Sequence, residues 1–112
     1  TLTSSRLGAF FYLIVGMLAL KDASGFLAPF AGLARHVITV PIPGAHEATH
    51  APDVLADVAQ HVGLTAETAA NIEEALRQVE SHPGPKRILI CGSLYLAGHV
   101  LALQAGLAPQ TN

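Results

Sequence analysis

The chain has 112 residues, enough for one domain with a real hydrophobic core. Half of the residues are apolar, 12% are charged and the net charge is −2, which excludes the basic surface that binds nucleic acid. The single cysteine, Cys91, excludes an internal disulfide framework and is expected to be an inert core thiol.

The apolar segment near the N-terminus is predicted to be a strand. Ala9 to Val15 is rich in aromatic and β-branched residues, as central strands are. The surrounding apolar run ends at Leu20 and is too short for a membrane span, which needs about 20 residues. Lys21 follows at once without a small-residue cleavage site, which disfavours a signal peptide. We therefore expect a cytoplasmic protein without a membrane segment.

A broken helix and a second strand are predicted next. Asp22 and Ser24 are candidate N-caps for the helix. Pro29 is expected to kink this helix or to divide it into two short ones. His36 to Val40 ends in four β-branched residues and predicts a strand. The apolar stripe of the broken helix is Phe26, Leu27, Phe30 and Leu33.

The middle of the chain predicts a loop, a helix and a weak strand. Residues 41–51 hold three prolines or glycines and are expected to be irregular. Pro52 suits the first turn of a helix that Gly63 closes. For Thr65 to Ala69, a very short edge strand and a loop both stay open.

A third helix, a last strand and a last helix complete the prediction. Asn71 and Glu74 resemble a capping box, in which Asn71 accepts from the backbone and Glu74 reaches back, and this helix is expected to end near Glu80. Ile88 to Cys91 is an unbroken apolar run of the kind buried in parallel sheets. Ser93 is a candidate N-cap for the final helix.

Strands alternating with helices predict one α/β domain over residues 1–112. We expect a Rossmann-like three-layer fold with a mostly parallel sheet and helices on both faces. Lys21 and Asp22 follow the first strand, and Ser93 and Tyr95 follow the last, where such folds bind ligands. A lysine can hold a carboxylate, but a solvated loop charge and a helix cap are the favoured explanation of Lys21 and Asp22. Hydroxyls at a helix N-terminus suit an anion, but capping explains Ser93 just as well.

The histidines predict no metal or catalytic site. His46 and His50 match an H-E-x-x-H pattern, which binds zinc only from a stable helix. Pro43 and Pro52 flank the pattern closely, so the segment between them is too short for such a helix. The other histidines, His36, His61, His82 and His99, are expected to be solvated or to cap helices.

Three segments in order resemble the folylpolyglutamate synthase/dihydrofolate synthase family. They are Cys-Gly-Ser-Leu-Tyr-Leu-Ala-Gly at 91–98, Gly-Met-Leu-Ala-Leu-Lys-Asp-Ala-Ser-Gly-Phe-Leu-Ala-Pro at 16–29 and Val-Pro-Ile-Pro-Gly at 40–44. The resemblance is to the family's C-terminal domain. It implies the amino-acid-presenting part of an ATP-dependent ligase, which joins L-glutamate to a folate or dihydropteroate carboxylate through an acyl phosphate.

The resemblance also implies partners and roles. ATP and Mg²⁺ would bind mainly to an N-terminal P-loop domain of the same parent, so this chain is expected to be inactive alone, without a cofactor or metal of its own. Lys21 and Ser93 would help to hold the incoming L-glutamate. Asp22 and Tyr95 would shape the pocket, and no residue of this chain would act as an acid or base.

Some features depart from the family. Leu20 stands where an acidic residue is common, and His99 stands where glutamate is frequent. No segment matches the Asp-Gly-Ala-His-Asn loop that opens the family's domain, so the sheet is expected to lack its first strand and helix, and its edge to favour self-association. The alternative is a stand-alone, non-enzymatic α/β domain that binds a small molecule or oligomerises.

Overall fold

The computed structural model describes residues 11–44 and 48–91, which form a sheet covered by helices. In chain order the elements are β1 (Phe11–Val15), α1 (Ala23–Leu27), a 3₁₀ turn (Ala28–Phe30), β2 (His36–Thr39), α2 (Pro52–His61), β3 (Ala66–Thr68), α3 (Ile72–Glu80) and β4 (Arg87–Cys91). Among these described elements, no helix is both long enough and apolar enough to cross a membrane.

β1 lies inside the described sheet, between β2 and β4. The order across the sheet is β3-β2-β1-β4, and every neighbouring pair is parallel. β1 pairs with β4 over its full length, from Phe11 opposite Arg87 to Val15 opposite Cys91. The side chains from Tyr12 to Val15 are at most 1% exposed, because helices cover both faces of this strand.

Alternate side chains of β1 enter two hydrophobic clusters, one on each face of the sheet. Burying one Leu or Ile side chain is worth roughly 1.5–3 kcal/mol, so these clusters fix the helices on the sheet. The cluster that joins β1 to α1 and α2 includes Leu13, Val15, Leu27, Leu55 and Ala59. The cluster that joins β1 to α3 includes Tyr12, Ile14, Ile72, Ala75 and Val79.

The predicted fold class is confirmed, and so are several element boundaries. Asp22 caps α1, where its Oδ1 accepts a hydrogen bond from the Gly25 N–H at 3.0 Å. Pro29 divides the predicted helix into α1 and the 3₁₀ turn. The short edge strand is present, because Ala66–Thr68 pairs with β2. The sequence therefore identifies these elements by their local signals.

Several details differ from the sequence prediction. Ile88 and Leu89 of β4, predicted to be buried, are 40% and 39% exposed, because β4 lies at the edge of the described sheet. The Glu74 N–H donates to Asn71 Oδ1 at 2.8 Å as expected, but Glu74 Oε1 accepts from the Ala70 N–H at 3.4 Å, one residue before the cap. Leu33 lies in a turn and is 49% exposed, instead of on the helical stripe. The 3₁₀ turn ends at Phe30 and Gly32, with φ of 82°, redirects the chain, so the helical spacing does not reach Leu33.

The start of the predicted first strand and the predicted final helix lie outside the described residues. The same holds for His46, in the gap at 45–47, and for Ser93, Tyr95 and His99.

Candidate functional site

The connections between the strands create a switch point beside β1. From β1 the chain passes through α1 to β2 and through α2 to β3, with both helices on one face. From β3 it returns through α3 on the other face and reaches β4 on the far side of β1. The strand order thus reverses between β1 and β4, and open α/β sheets bind ligands outside the carboxyl ends of strands at such a point.

The carboxyl ends of β1 and β4 stay together at this switch point. Val15 lies opposite Cys91, and beyond the paired strands the Gly16 N–H still donates to the Cys91 carbonyl at 3.3 Å. The chain segments that follow these two strands contain the binding residues predicted from the sequence. Only the segment after β1, with Lys21 and Asp22, falls within the described residues.

Lys21 and Asp22 lie in the exposed loop between β1 and α1. A turn forms here, in which the Lys21 N–H donates to the Leu18 carbonyl at 3.0 Å. Among the described residues, no carboxylate pairs with the Lys21 ammonium. Asp22 is engaged as the N-cap of α1. Asp22 therefore caps α1. The ligand-binding roles of Lys21 and Asp22 stay predictions.

The loop after β2 is joined to the loop after β1 by an isolated antiparallel bridge. Two backbone bonds form it: the Ala19 N–H donates to the Ala48 carbonyl and the His50 N–H donates to the Met17 carbonyl, both at 2.9 Å. The His50 ring adds a third contact, with Nε2 3.1 Å from the Lys21 carbonyl oxygen. Residues 48–50 therefore support the loop that carries Lys21.

His50 is not part of a helix, because α2 begins only at Pro52. The H-E-x-x-H pattern therefore lacks the helical placement of its second histidine that zinc binding requires. The contact of His50 with Lys21 was not predicted from the sequence. The two residues are 29 positions apart, and only the pairing of the two loops brings them together.

Thr39 forms a hydrogen bond to Pro52, which closely follows residues 48–50. Its side chain is fully buried at the carboxyl end of β2, and its hydroxyl donates to the Pro52 carbonyl at 2.7 Å. A second acceptor, the Glu67 carbonyl of β3, lies at 3.4 Å. From the sequence, Thr39 was predicted only as a β-branched strand residue, although a hydroxyl at the end of a buried strand is a signal for such a bond.

Ser93 and Tyr95, the other two predicted binding residues, lie outside the described residues, so their roles stay predictions. Cys91, the last described residue of β4, has a partly buried thiol. Burial raises the pKa of this thiol from 9.0 to about 11. The raised pKa disfavours the reactive thiolate, but Cys91 is only partly buried and is not the core residue that was predicted.

A small apolar cleft lies at the ends of the neighbouring strands β2 and β3. Its volume is about 170 Å³, below the roughly 300–1,000 Å³ of most small-molecule sites. The cleft is beside β2 and β3 and not at the switch point between β1 and β4. It is lined by Pro41, Pro43, Ala70, Asn71, Ile72 and Glu73.

Two histidines meet at the amino end of the sheet, opposite the switch point. The rings of His36 and His82 are 5.8 Å apart, and the ring of Tyr12 is 5.4 Å from that of His82. His36 Nε2 is 3.2 Å from a carboxylate oxygen of Glu67. His36 and His82 are therefore packed residues and not solvated ones, whereas His61 is exposed and contacts the Asp57 carbonyl through Nδ1 at 2.8 Å.

The described residues contain no cluster of metal-ligating side chains. Their His, Cys, Asp and Glu side chains form no group of three that is able to hold a metal ion. The sequence also has no G-x-x-x-x-G-K-[ST] loop to enclose phosphates. An exposed lysine is able to bind a carboxylate, and this role for Lys21 stays a prediction.

Comparison with known proteins gives an informative match among solved structures. No family model matches the sequence, and no curated protein gives a significant match. Among solved structures, a folylpolyglutamate synthase from Thermotoga maritima matches with a TM-score of 0.66 and 23% sequence identity. The match covers 91% of this chain and 22% of that enzyme, so the chain spans about a fifth of its length. The likeness shows a shared fold, as the sequence resemblance predicted.

Proposed function

We propose that this chain is the amino-acid-presenting domain of an ATP-dependent ligase that joins L-glutamate to a folate or dihydropteroate carboxylate. One observation carries the proposal: the Lys21 loop lies at the β1–β4 switch point of a fold shared with a folylpolyglutamate synthase. In this reaction the glutamate nitrogen forms an amide bond with an acyl phosphate carbon. Inorganic phosphate leaves, and the nitrogen loses a proton.

Lys21 binds a carboxylate of L-glutamate in this proposal. Its ammonium acts as a point charge in an exposed loop, where no described carboxylate competes for it. Ser93, two residues beyond the end of β4, donates a hydroxyl hydrogen bond to the same ligand, and Tyr95 shapes the pocket. Asp22 holds the start of α1 and thereby limits the positions that the neighbouring Lys21 can adopt.

The chain contributes orientation and not acid–base chemistry. A ligand held at its carboxylate presents its amine in one direction, and such positioning lowers the entropy cost of a reaction between two molecules. We assign ATP and Mg²⁺ to a P-loop domain of the same parent protein, since this sequence has no G-x-x-x-x-G-K-[ST] loop.

A kinetic test separates binding from chemistry. In the ligase that contains this domain, Lys21→Ala is expected to raise KM for L-glutamate roughly 10- to 100-fold, the value of a hydrogen bond to a charged group. The kcat changes less, because the ammonium binds the ground state and the transition state alike. Lys86→Ala is the matched control, since Lys86 Nζ donates to the Gly84 carbonyl at 2.9 Å in the turn before β4.

Equal KM values for the Lys21→Ala and wild-type enzymes would contradict the assignment of the glutamate site. The ligase origin has a separate test, which is mass spectrometry of the native protein from its source cells. Peptides upstream of Thr1 that contain a P-loop are the expected result. A native protein without such a loop would favour a binding domain with no ligase activity.

A further inference from the structure

The His50 imidazole makes a specific contact with the loop of the candidate site. Its Nε2 is 3.1 Å from the carbonyl oxygen of Lys21. A carbonyl oxygen can only accept a hydrogen bond, so Nε2 carries the proton and donates it. The backbone N–H of the same residue donates to the Met17 carbonyl at 2.9 Å. His50 therefore holds the loop after β1 at two points, four residues apart.

Near Lys21 the loop is held by backbone hydrogen bonds, from the Lys21 N–H to the Leu18 carbonyl and from the Ala19 N–H to the Ala48 carbonyl, and not by side-chain packing. Leu20 is 94% exposed and Lys21 is exposed as well, so side-chain packing does not hold these two residues. Within the described residues, the His50 ring is the one side chain that donates to a carbonyl of the 17–21 loop. Its own position is well defined, because it lies between the antiparallel bridge at Thr49 and the start of α2 at Pro52.

We propose that His50 is a positioning residue for the glutamate site, which holds the Lys21 loop in its binding conformation through Nε2–H donation to the Lys21 carbonyl. This inference rests on the proposed function for the identity of the ligand, but the effect on the loop does not depend on it. Preorganisation of this kind improves affinity, because the loop loses less conformational freedom when the ligand binds.

The choice of side chains at position 50 tests the geometry. The amide nitrogen of Gln reaches about as far from the backbone as Nε2 of histidine, whereas that of Asn reaches only as far as Nδ1. His50→Gln is therefore expected to keep the hydrogen bond, while His50→Asn and His50→Ala lose it. His61→Ala is the matched control, since His61 also contacts a backbone carbonyl but lies at the opposite end of α2.

Two measurements on the 112-residue chain test whether the His50 contact fixes the loop and improves ligand binding. The first is amide hydrogen exchange by NMR without ligand, in which the Ala19 and Lys21 amides are expected to exchange faster in His50→Ala and His50→Asn than in His50→Gln or His61→Ala. The second is the affinity for L-glutamate by titration. It is expected to fall roughly two- to tenfold in the same two variants, as for the loss of one hydrogen bond, and to be kept in His50→Gln.

The two readouts separate this inference from the proposed function. Equal exchange rates of the Ala19 and Lys21 amides in all variants would overturn the inference. So would a ¹⁵N spectrum in which Nδ1 of His50 carries the proton. Faster amide exchange in His50→Ala without any loss of affinity for L-glutamate would also overturn the inference, because glutamate binding would then not depend on the contact. Altered exchange in a chain that binds no L-glutamate at all would support the loop contact and refute the proposed ligand.

Discussion

Replacing Thr39 with valine removes one buried hydrogen bond and changes the packing very little. The hydroxyl donates to the Pro52 carbonyl at 2.7 Å from a fully buried side chain, and the second acceptor at 3.4 Å is too far away to add much. Loss of one partner of a buried bond costs about 1–3 kcal/mol, since the remaining group loses its partner away from water. For a chain of 112 residues, each kcal/mol lowers Tm by about 4 °C. We therefore expect Thr39→Val to lower Tm by roughly 4–12 °C.

Thermal unfolding followed by circular dichroism measures this effect, and Thr68→Val is the matched control. Thr68 lies opposite Thr39 on β3 but is exposed, so its substitution is expected to change the stability by less than about 0.5 kcal/mol. Thr39→Ser keeps the hydroxyl and loses a methyl group, and it is expected to cost about 1 kcal/mol. A Thr39→Val chain as stable as Thr68→Val would refute the role of this hydroxyl in holding α2 to the sheet.

Three further predictions concern single residues. Gly25→Ala is expected to lower Tm although alanine favours helices, because the added Cβ would come within 3.0 Å of Asp22 Cγ and displace the cap; an unchanged or higher Tm would contradict this. Asn71→Ala is expected to cost about 1 kcal/mol in urea unfolding, since the Glu74 N–H loses its acceptor, while Asn71→Asp keeps most of the stability. The pKa of Cys91 is raised from 9.0 to about 11, so its contribution to stability is full below pH 9 and is lost as pH rises toward 11. The free energy of unfolding of the wild type and of Cys91→Ala, measured across this pH range, tests this prediction. Parallel pH profiles of the two chains would refute the contribution of Cys91.

The sequence predicts those parts of the fold that depend on neighbouring residues. The caps at Asp22 and Asn71, the break at Pro29 and the apolar run of β1 all follow from interactions within a few positions of the chain. The position of Leu33 was wrong because a turn at Gly32, and not the helical spacing, decides where that side chain lies.

Contacts between distant segments were not predictable in the same way. The contact of His50 with Lys21 and that of His36 with His82 depend on which loops and strands become neighbours. Hydropathy and spacing do not fix the strand order, although that order places the switch point between β1 and β4. The placement of Lys21 after a central strand was predictable, whereas its support by the loop after β2 required the structure.

The most direct test of the central claim is an NMR titration of the ¹⁵N-labelled 112-residue chain with L-glutamate. Amide shifts are expected at Lys21 and Asp22 and at the carboxyl ends of β1 and β4, near Gly16 and Cys91. Lys21→Ala is expected to abolish them, and Lys86→Ala to leave them unchanged. Absence of any shift, or shifts confined to the cleft between Pro41 and Ile72, would contradict a glutamate site at the switch point.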